Sequence, residues 1–481
     1  MRRRRTPSVP INGLIRARVC ALALGLAACS TAPTYQAPVA PLPAQFKEVE
    51  GWVAAKPADA LQRDAWWELF GDAHLNSLAS KVSVSNQNVA AAVAAYAQAR
   101  AVVGQQRAAL FPSVSLSGAI RNSNSITRSQ DVQFSLGGTW EPDVWGRLQG
   151  AVTGAEASAQ ASMGDLATAS LSAQGEMVSN YLLLRQTDEQ RRLLAAAIKD
   201  YQRVLEITQN RYNAGIAPRT DVLQAQTQLS NAQSDLEGLQ RLRAQLEHAI
   251  AVLIGEPPSG FSISPIEWLP VVPDVPMAIP SELLQRRPDI AAAERRVASA
   301  NEQIGIARSA YFPSITLGAS EGVAAGTVAS LVSSPVALWS IGVSMTQTIF
   351  NAGLVKNRIA GAEAAYEVAV ARYRQTVLAA FQSVEDQLVA TRVLAQQELY
   401  LSEAVKAAGL AEQQQLNRYR AGQVSFLEVS AAQTTALNAR RALVQQQGNR
   451  QVSSVALIQS LGGGWSVDDL RHISSQNPSP K

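Results

Sequence analysis

Side chains able to do metal, redox or nucleophilic chemistry are sparse in this sequence. Its three histidines, His74, His248 and His472, are far apart and never take the HExxH spacing that sets two imidazoles on one helix face. No CxxC pair, phosphate-binding Walker loop or GxSxG elbow occurs. No catalytic residue, metal or cofactor is therefore expected, and His248, among Ala and Leu, reads as a packed or solvated helix residue. Two carboxylates stand out by position. Asp221 and Glu428 each lie six residues past a glycine in a phrase that occurs twice, RYNAGIAP from Arg211 and RYRAGQVS from Arg418. Carboxylates ringed around a water path would select cations and raise one another's pKa by like-charge repulsion. On a solvated helix face they would do neither. The choice rests on the elements that carry them.

The N-terminus accounts for the apparent basic charge. MRRRRTPSVPINGLIRAR has six arginines and no acid, and apolar VCALALGLAAC follows it. A basic segment, about ten apolar residues and small residues before a cut describe a secretory signal. Spanning a bilayer takes about twenty apolar residues, so this run is too short. Removing residues 1–28 turns 42 basic against 38 acidic residues into 36 against 38. No basic field remains for nucleic acid. Leu26-Ala27-Ala28-Cys29 resembles the bacterial lipobox; the plain alternative is a buried cysteine. The resemblance implies a diacylglycerol on the Cys29 thiol and an acyl chain on its new amino group. With Ser30 rather than Asp next, it also implies sorting to the outer membrane. Such chains anchor firmly. Cys20 leaves with the signal, and a lone Cys29 forms no internal disulfide.

The repeated phrase belongs to a longer duplication. Residues 211–237 and 418–444 share eleven identities in 27 positions without a gap, and the same offset of 207 pairs the GAEA at 154–157 with that at 361–364. Upstream, AVVGQQRAALFPSVSLSG echoes NEQIGIARSAYFPSITLGA at an offset of 201. The 57 residues from each GAEA to its RY lack proline and are rich in Ala, Gln, Leu, Glu and Arg, as helices are. Leu194, Ile198, Tyr201, Leu205, Thr208 and Tyr212 step at coiled-coil spacing, as do Leu239, Leu242, Leu246, Ala249 and Leu253. A helix of that length would run roughly 85 Å. Gly215 and Gly422 suit the left-handed position that ends it, and Asp221 caps or flanks the return helix. Each RYxAG is thus expected at the tip of a long helical hairpin.

Between the FPS and GAEA motifs the period changes to two. Val132, Phe134 and Leu136 alternate with small or polar residues, as do Trp339, Ile341, Val343 and Met345. Pro112 and Pro313 break the preceding helices, and aromatics collect at strand ends: Phe111, Trp140, Trp145, Tyr311, Phe312 and Phe350. In an exported lipoprotein this reads as a membrane barrel with an aromatic girdle. Four strands cannot close a barrel, since known membrane barrels start at about eight, and hydrocarbon does not tolerate an open edge. Several chains must combine. Three, giving about twelve strands, enclose a lumen that a barrel of about eight fills with side chains. The expected fold is therefore an α+β membrane protein: a trimeric 12-stranded transmembrane β-barrel, four strands per chain, joined to a long α-helical barrel.

The expected organisation is a signal peptide at 1–28 and a lipid-anchored segment at 29–65. The first repeat, 66–255, carries a strand pair at 112–143 and a tip at 211–218. A Pro-rich linker at 256–288 runs back along the helices. The second repeat, 289–465, has its strand pair at 313–350 and its tip at 418–425, before a flexible tail at 466–481.

WWELFGDAHLNSL at 66–78, GTWEPDVWGR at 138–147, SELLQRRPDIAAAERRVASANEQIGIARSAYFPSITL at 281–317 and the two RYxAG turns carry a further resemblance. Over nearly its whole length the chain resembles the outer-membrane factor family of bacterial efflux and export systems, in its lipoprotein branch. The resemblance implies a homotrimer in the outer membrane, with the helical barrel in the periplasm. It also implies a periplasmic adaptor and an inner-membrane pump, RND-type by preference, feeding the duct. It implies adaptor docking near Arg211, Tyr212, Gly215, Arg418, Tyr419 and Gly422; for the glycines, turn geometry alone is the competing account. A second acid and a basic residue of the family's tip pattern are replaced here by Ala431 and Thr434, so the closed-state lock is differently built. An ATP-driven duct for protein or peptide export is the alternative, and a trimeric coiled-coil lipoprotein the more distant one.

Overall fold

The computed structural model describes residues 31–39, 46–48, 65–123, 129–273 and 287–463. Cys29, the signal, residues 274–286 of the linker and the whole tail at 466–481 lie outside the described residues. A 3-10 turn at Trp66–Phe70 leads into α1 (Ala73–Ser85) and α2 (Gln87–Ala108), then β1 (Ser113–Ser123) and β2 (Ser129–Trp140). Helices α3 (Arg147–Asn213) and α4 (Arg219–Leu253) complete the first copy. The second runs α5 (Pro288–Ser309), β3 (Ser314–Ala325), a short α6 (Ser330–Ser333), β4 (Val336–Thr346), α7 (Leu354–Arg420) and α8 (Phe426–Ser460). Helices α3 and α7 have 67 residues each, and α4 and α8 have 35 each. The long helices exceed the 57 residues between motifs because each begins upstream of its GAEA, at a glycine of positive φ, Gly146 or Gly353. None of the described helices is long and apolar enough to cross a membrane.

The chain divides into two compact units. The first joins Met1–Val39, Ala95–Ser162 and Ala292–Arg374 and holds one antiparallel sheet in the order β1-β2-β3-β4. Its register sorts the two faces. Leu116 stands opposite Leu136, and Trp140, Leu317 and Val343 line up across three strands. The other face carries hydroxyls in register: Ser113 with Thr139, Ser117 with Ser135, and Ser320 with Ser340, each pair 2.9 Å apart. Side-chain period two therefore separates an apolar sheet face from a polar one. Glu321 is the charged exception on the apolar face. It stands opposite Leu136 on one side and Trp339 on the other. Helices are fixed beside the sheet by an ion pair that both copies repeat: Arg107 with Glu156 at 2.5 Å and Arg308 with Glu363 at 2.9 Å.

The second unit joins Ala40–Ala94, Met163–Ala291 and Gln375–Lys481. Its hairpins pack along seams in which Leu194, Ile198, Tyr201, Ala232 and Leu239 form one buried cluster. Leu242 departs from the expected seam and is 42% exposed. Leu253, later on the same helix, is buried again. The linker is clasped by buried charge: Arg185 donates to Ser264 O at 2.8 Å and to the Tyr181 hydroxyl at 2.8 Å. Asp188 accepts from Arg243 at 2.7 Å, and Arg243 and Glu247 hold the backbone of Ile263 between them. Arg287 of the RRPD motif donates to the carbonyl of Ser460, closing the end of α8, and is itself held by Asp289.

Candidate gate and conducting face

Each RYxAG closes its long helix by the same device. In the first copy Gly215 has φ 73°, its N–H donates to Tyr212 O at 2.9 Å, and Ile216 N–H donates to Arg211 O at 2.8 Å. In the second, Gly422 has φ 75°, with Gly422 to Tyr419 and Gln423 to Arg418 at 2.9 Å each. These paired bonds form a Schellman motif, which satisfies the last helical carbonyls and needs a left-handed residue. A β-carbon at either glycine would meet nothing within 4 Å, so backbone conformation alone selects glycine there.

The equivalent tip residues diverge. Arg211 Nη1 donates to Tyr419 O at 3.0 Å, and its guanidinium lies 4.5 Å from the Tyr419 ring centre. Tyr419 packs with Val204, Ala225, Phe426 and Val429. Tyr212, expected on the seam, is 40% exposed, and residue 219, which follows the first turn, is arginine where the second copy has Phe426. Arg418 is exposed. The Arg211–Tyr419 contact was beyond sequence reasoning, which aligned the two tips but held no signal that one would grip the other.

Asp221 and Glu428 occupy the first turns of α4 and α8. The N-caps are Pro218 and Ser425, so Asp221 flanks the helix start and does not cap it. Free amide groups and the helix dipole favour a carboxylate at this position. Asp221 is half-buried and Glu428 exposed. Thr434 binds back to Ser430 O, and Ser430 donates to Gln228 at 2.9 Å, tying the two hairpins together. His74 packs edge-on to Tyr181, ring centres 6.0 Å apart, and His248 is exposed. No grouping of three or more His, Cys, Asp or Glu that could hold a metal occurs among the described residues.

At the sheet's helical end, GTWEPDVWGR forms a compact turn. Arg147 clamps Glu141 through two bonds of 2.8 and 2.7 Å, while Asp143 accepts from Leu148 and Gln149 N–H at the start of α3. Trp145 donates to Pro313 O at 2.7 Å and stacks on Phe312 at 4.7 Å. Trp145 is thus a structural strut, whereas Phe111, Trp140, Tyr311 and Phe350 remain exposed at the strand ends. The described chain begins beside this turn. The Thr31 hydroxyl donates to Trp145 O or Gly305 O, at 3.2 and 3.0 Å, and a β-carbon on Gly305 would come within 2.6 Å of Ala32.

A sheet with one hydrocarbon-compatible face, one hydroxyl-lined face and two unpaired edges, borne on paired long helices, defines an outer-membrane channel. A stalk needs neither the sheet nor the return helices. Residues 78–256 and 279–463 match the outer membrane efflux protein family, and the chain belongs to that family. It is 31% identical to the pyoverdine export outer membrane protein OpmQ of Pseudomonas putida, over 93% of this chain and 97% of that one. It is 30% identical to the toluene efflux pump outer membrane protein TtgC of Pseudomonas putida, over 94% and 96% of the two chains. The outer-membrane channel OprN has the same fold, with a TM-score of 0.84 and 28% identity over 91% of this chain and all of its own. The protein is accordingly an outer-membrane efflux channel with a periplasmic helical part.

Proposed function

We propose that three copies of this chain form the exit duct of a tripartite efflux system, passively conducting what an inner-membrane pump and periplasmic adaptor deliver. The observation that carries this reading is the sheet. Its polar face is mostly serine, threonine and glycine toward the helical end, with Arg121 opposite Asp131 on the same face further along, and its edges β1 and β4 each lack one partner. Unpaired edges are not tolerated in hydrocarbon, so neighbouring copies must supply the missing strands. A wall of small hydroxyls, with one opposed Arg–Asp pair, wets the lumen. Among the relatives, one is named for pyoverdine and another for toluene. Selection belongs to the pump, for which an RND type is the natural partner.

The anchor is a lipidated Cys29 carrying a diacylglycerol and an N-acyl chain. Thr31, two residues later, is tied to the turn at the base of the sheet, where acyl chains enter the inner leaflet. The adaptor docks at the hairpin tips. A photocrosslinker at Ile216, which is 67% exposed beside Gly215, should capture a periplasmic protein in cells, whereas one at Ile341 on the lipid-facing sheet should not. Capture from neither site, with the channel assembled, would remove tip docking.

A further inference from the structure

The two tips are alike in sequence and unlike in surroundings. Tyr419 is only 3% exposed, its hydroxyl lies 3.5 Å from that of Thr208, and Arg211 covers its ring and binds its carbonyl. Moving each partner by the repeat offset of 207 turns Arg211 into Arg418, Thr208 into Gln415 and Tyr419 back into Tyr212. None of these three makes the corresponding contact within the chain. Arg418 is exposed, Tyr212 is two-fifths exposed, and the Gln415 amide oxygen is buried with no donor.

One chain with two like hairpins can make the tip joint once. Copies joined in a ring make it again at each boundary, where the second hairpin of one copy meets the first of the next. We propose that Arg418 and Gln415 hold Tyr212 of a second copy of this chain, so that the Arg211–Tyr419 contact recurs across each subunit boundary. The Gln415 side chain turns outward to accept from the tyrosine hydroxyl. This rests on the ring closure proposed above.

The two kinds of joint differ in strength. Within the chain, the tyrosine is lined by Val204, Leu205 and Phe426; the equivalent positions at the boundary are Ala411, Glu412 and Arg219. Less apolar surface is buried there, and burial is what stabilises such a joint. The joints between copies therefore separate first, with the two hairpins of each chain moving as one piece.

The test uses the full-length lipoprotein in detergent carrying Tyr212→Cys and Arg418→Cys, treated with a short bis-maleimide. Covalent dimers and trimers are expected on denaturing gels, while an Arg211→Cys, Tyr419→Cys pair should crosslink within monomers only. Monomers alone from the first pair, in a preparation that assembles and conducts, would overturn this inference and leave the channel reading intact. A monomeric, electrically silent wild-type preparation would instead overturn the channel reading. In planar bilayers, Tyr212→Ala and Arg418→Ala should each raise conductance about twofold or more, and the double variant should exceed neither, as partners in one contact do. Unchanged conductance in both single variants, or additive effects, would count against the pairing.

Discussion

Gly215 and Gly422 stand at the turns that end the two 67-residue helices. A glycine ending a long proline-free helix implies left-handed backbone, and both residues have it, at φ 73° and 75°. Since a β-carbon there would meet open space, Gly→Ala at either tip should cost about 1–2 kcal/mol from backbone strain alone. Asn should be better tolerated; equilibrium denaturation of the detergent-solubilised protein measures both. Tyr212 and Tyr419 mark the limit of such reading, because identical local phrases sit in different three-dimensional surroundings. Glu302 was equally invisible. Burial raises its carboxyl above the ordinary value of 4.5, against a smaller opposing effect of the Asn301 hydrogen bond. A raised folded value favours the protonated form, so its stabilising contribution is present below pH 4.5 and lost as pH rises through the folded value. Glu302→Gln should therefore raise the thermal midpoint near pH 7 and lose that advantage in acid; a midpoint gain that is the same at both pH values would contradict this.

At the scale of elements, the duplication made the helices legible, because length-matched copies without proline fix both the rods and their turns. Their starts were misplaced, since the motifs begin about two turns inside each helix, and strict heptads placed Leu242 in a seam that it leaves and Leu253 keeps. The linker clasp was beyond sequence reasoning altogether, for it joins Arg185, Asp188, Arg243 and Glu247 from two helices to backbone at Ile263 and Ser264. Arg185 and Asp188 are both buried. Asp188→Ala should destabilise the chain by roughly 3–5 kcal/mol, as loss of one member of a buried charge pair does, and denaturant midpoints test that. At the return-helix starts, Asp221→Ala with Glu428→Ala should raise conductance and weaken cation preference if the carboxylates ring the lumen. Identical conductance and selectivity would make them helix-start residues only.

For the whole molecule, what could be read was a deficit. Period-two segments following the two proline breaks gave four strands, and four strands leave two edges that water or another strand must satisfy. The lumen is a consequence of that deficit, since copies closing the sheet put their hydroxyl faces inward and their apolar faces toward lipid. Pairing order and register followed from the fold, because a repeat identifies strands but does not say which neighbour each one meets. The most direct measurement of the central claim takes one detergent preparation of the full chain, weighs the complex by light scattering, and records it in planar bilayers. A mass of three chains and stable, ohmic conductance steps are expected. A single-chain mass with bilayers that stay electrically silent would contradict that claim.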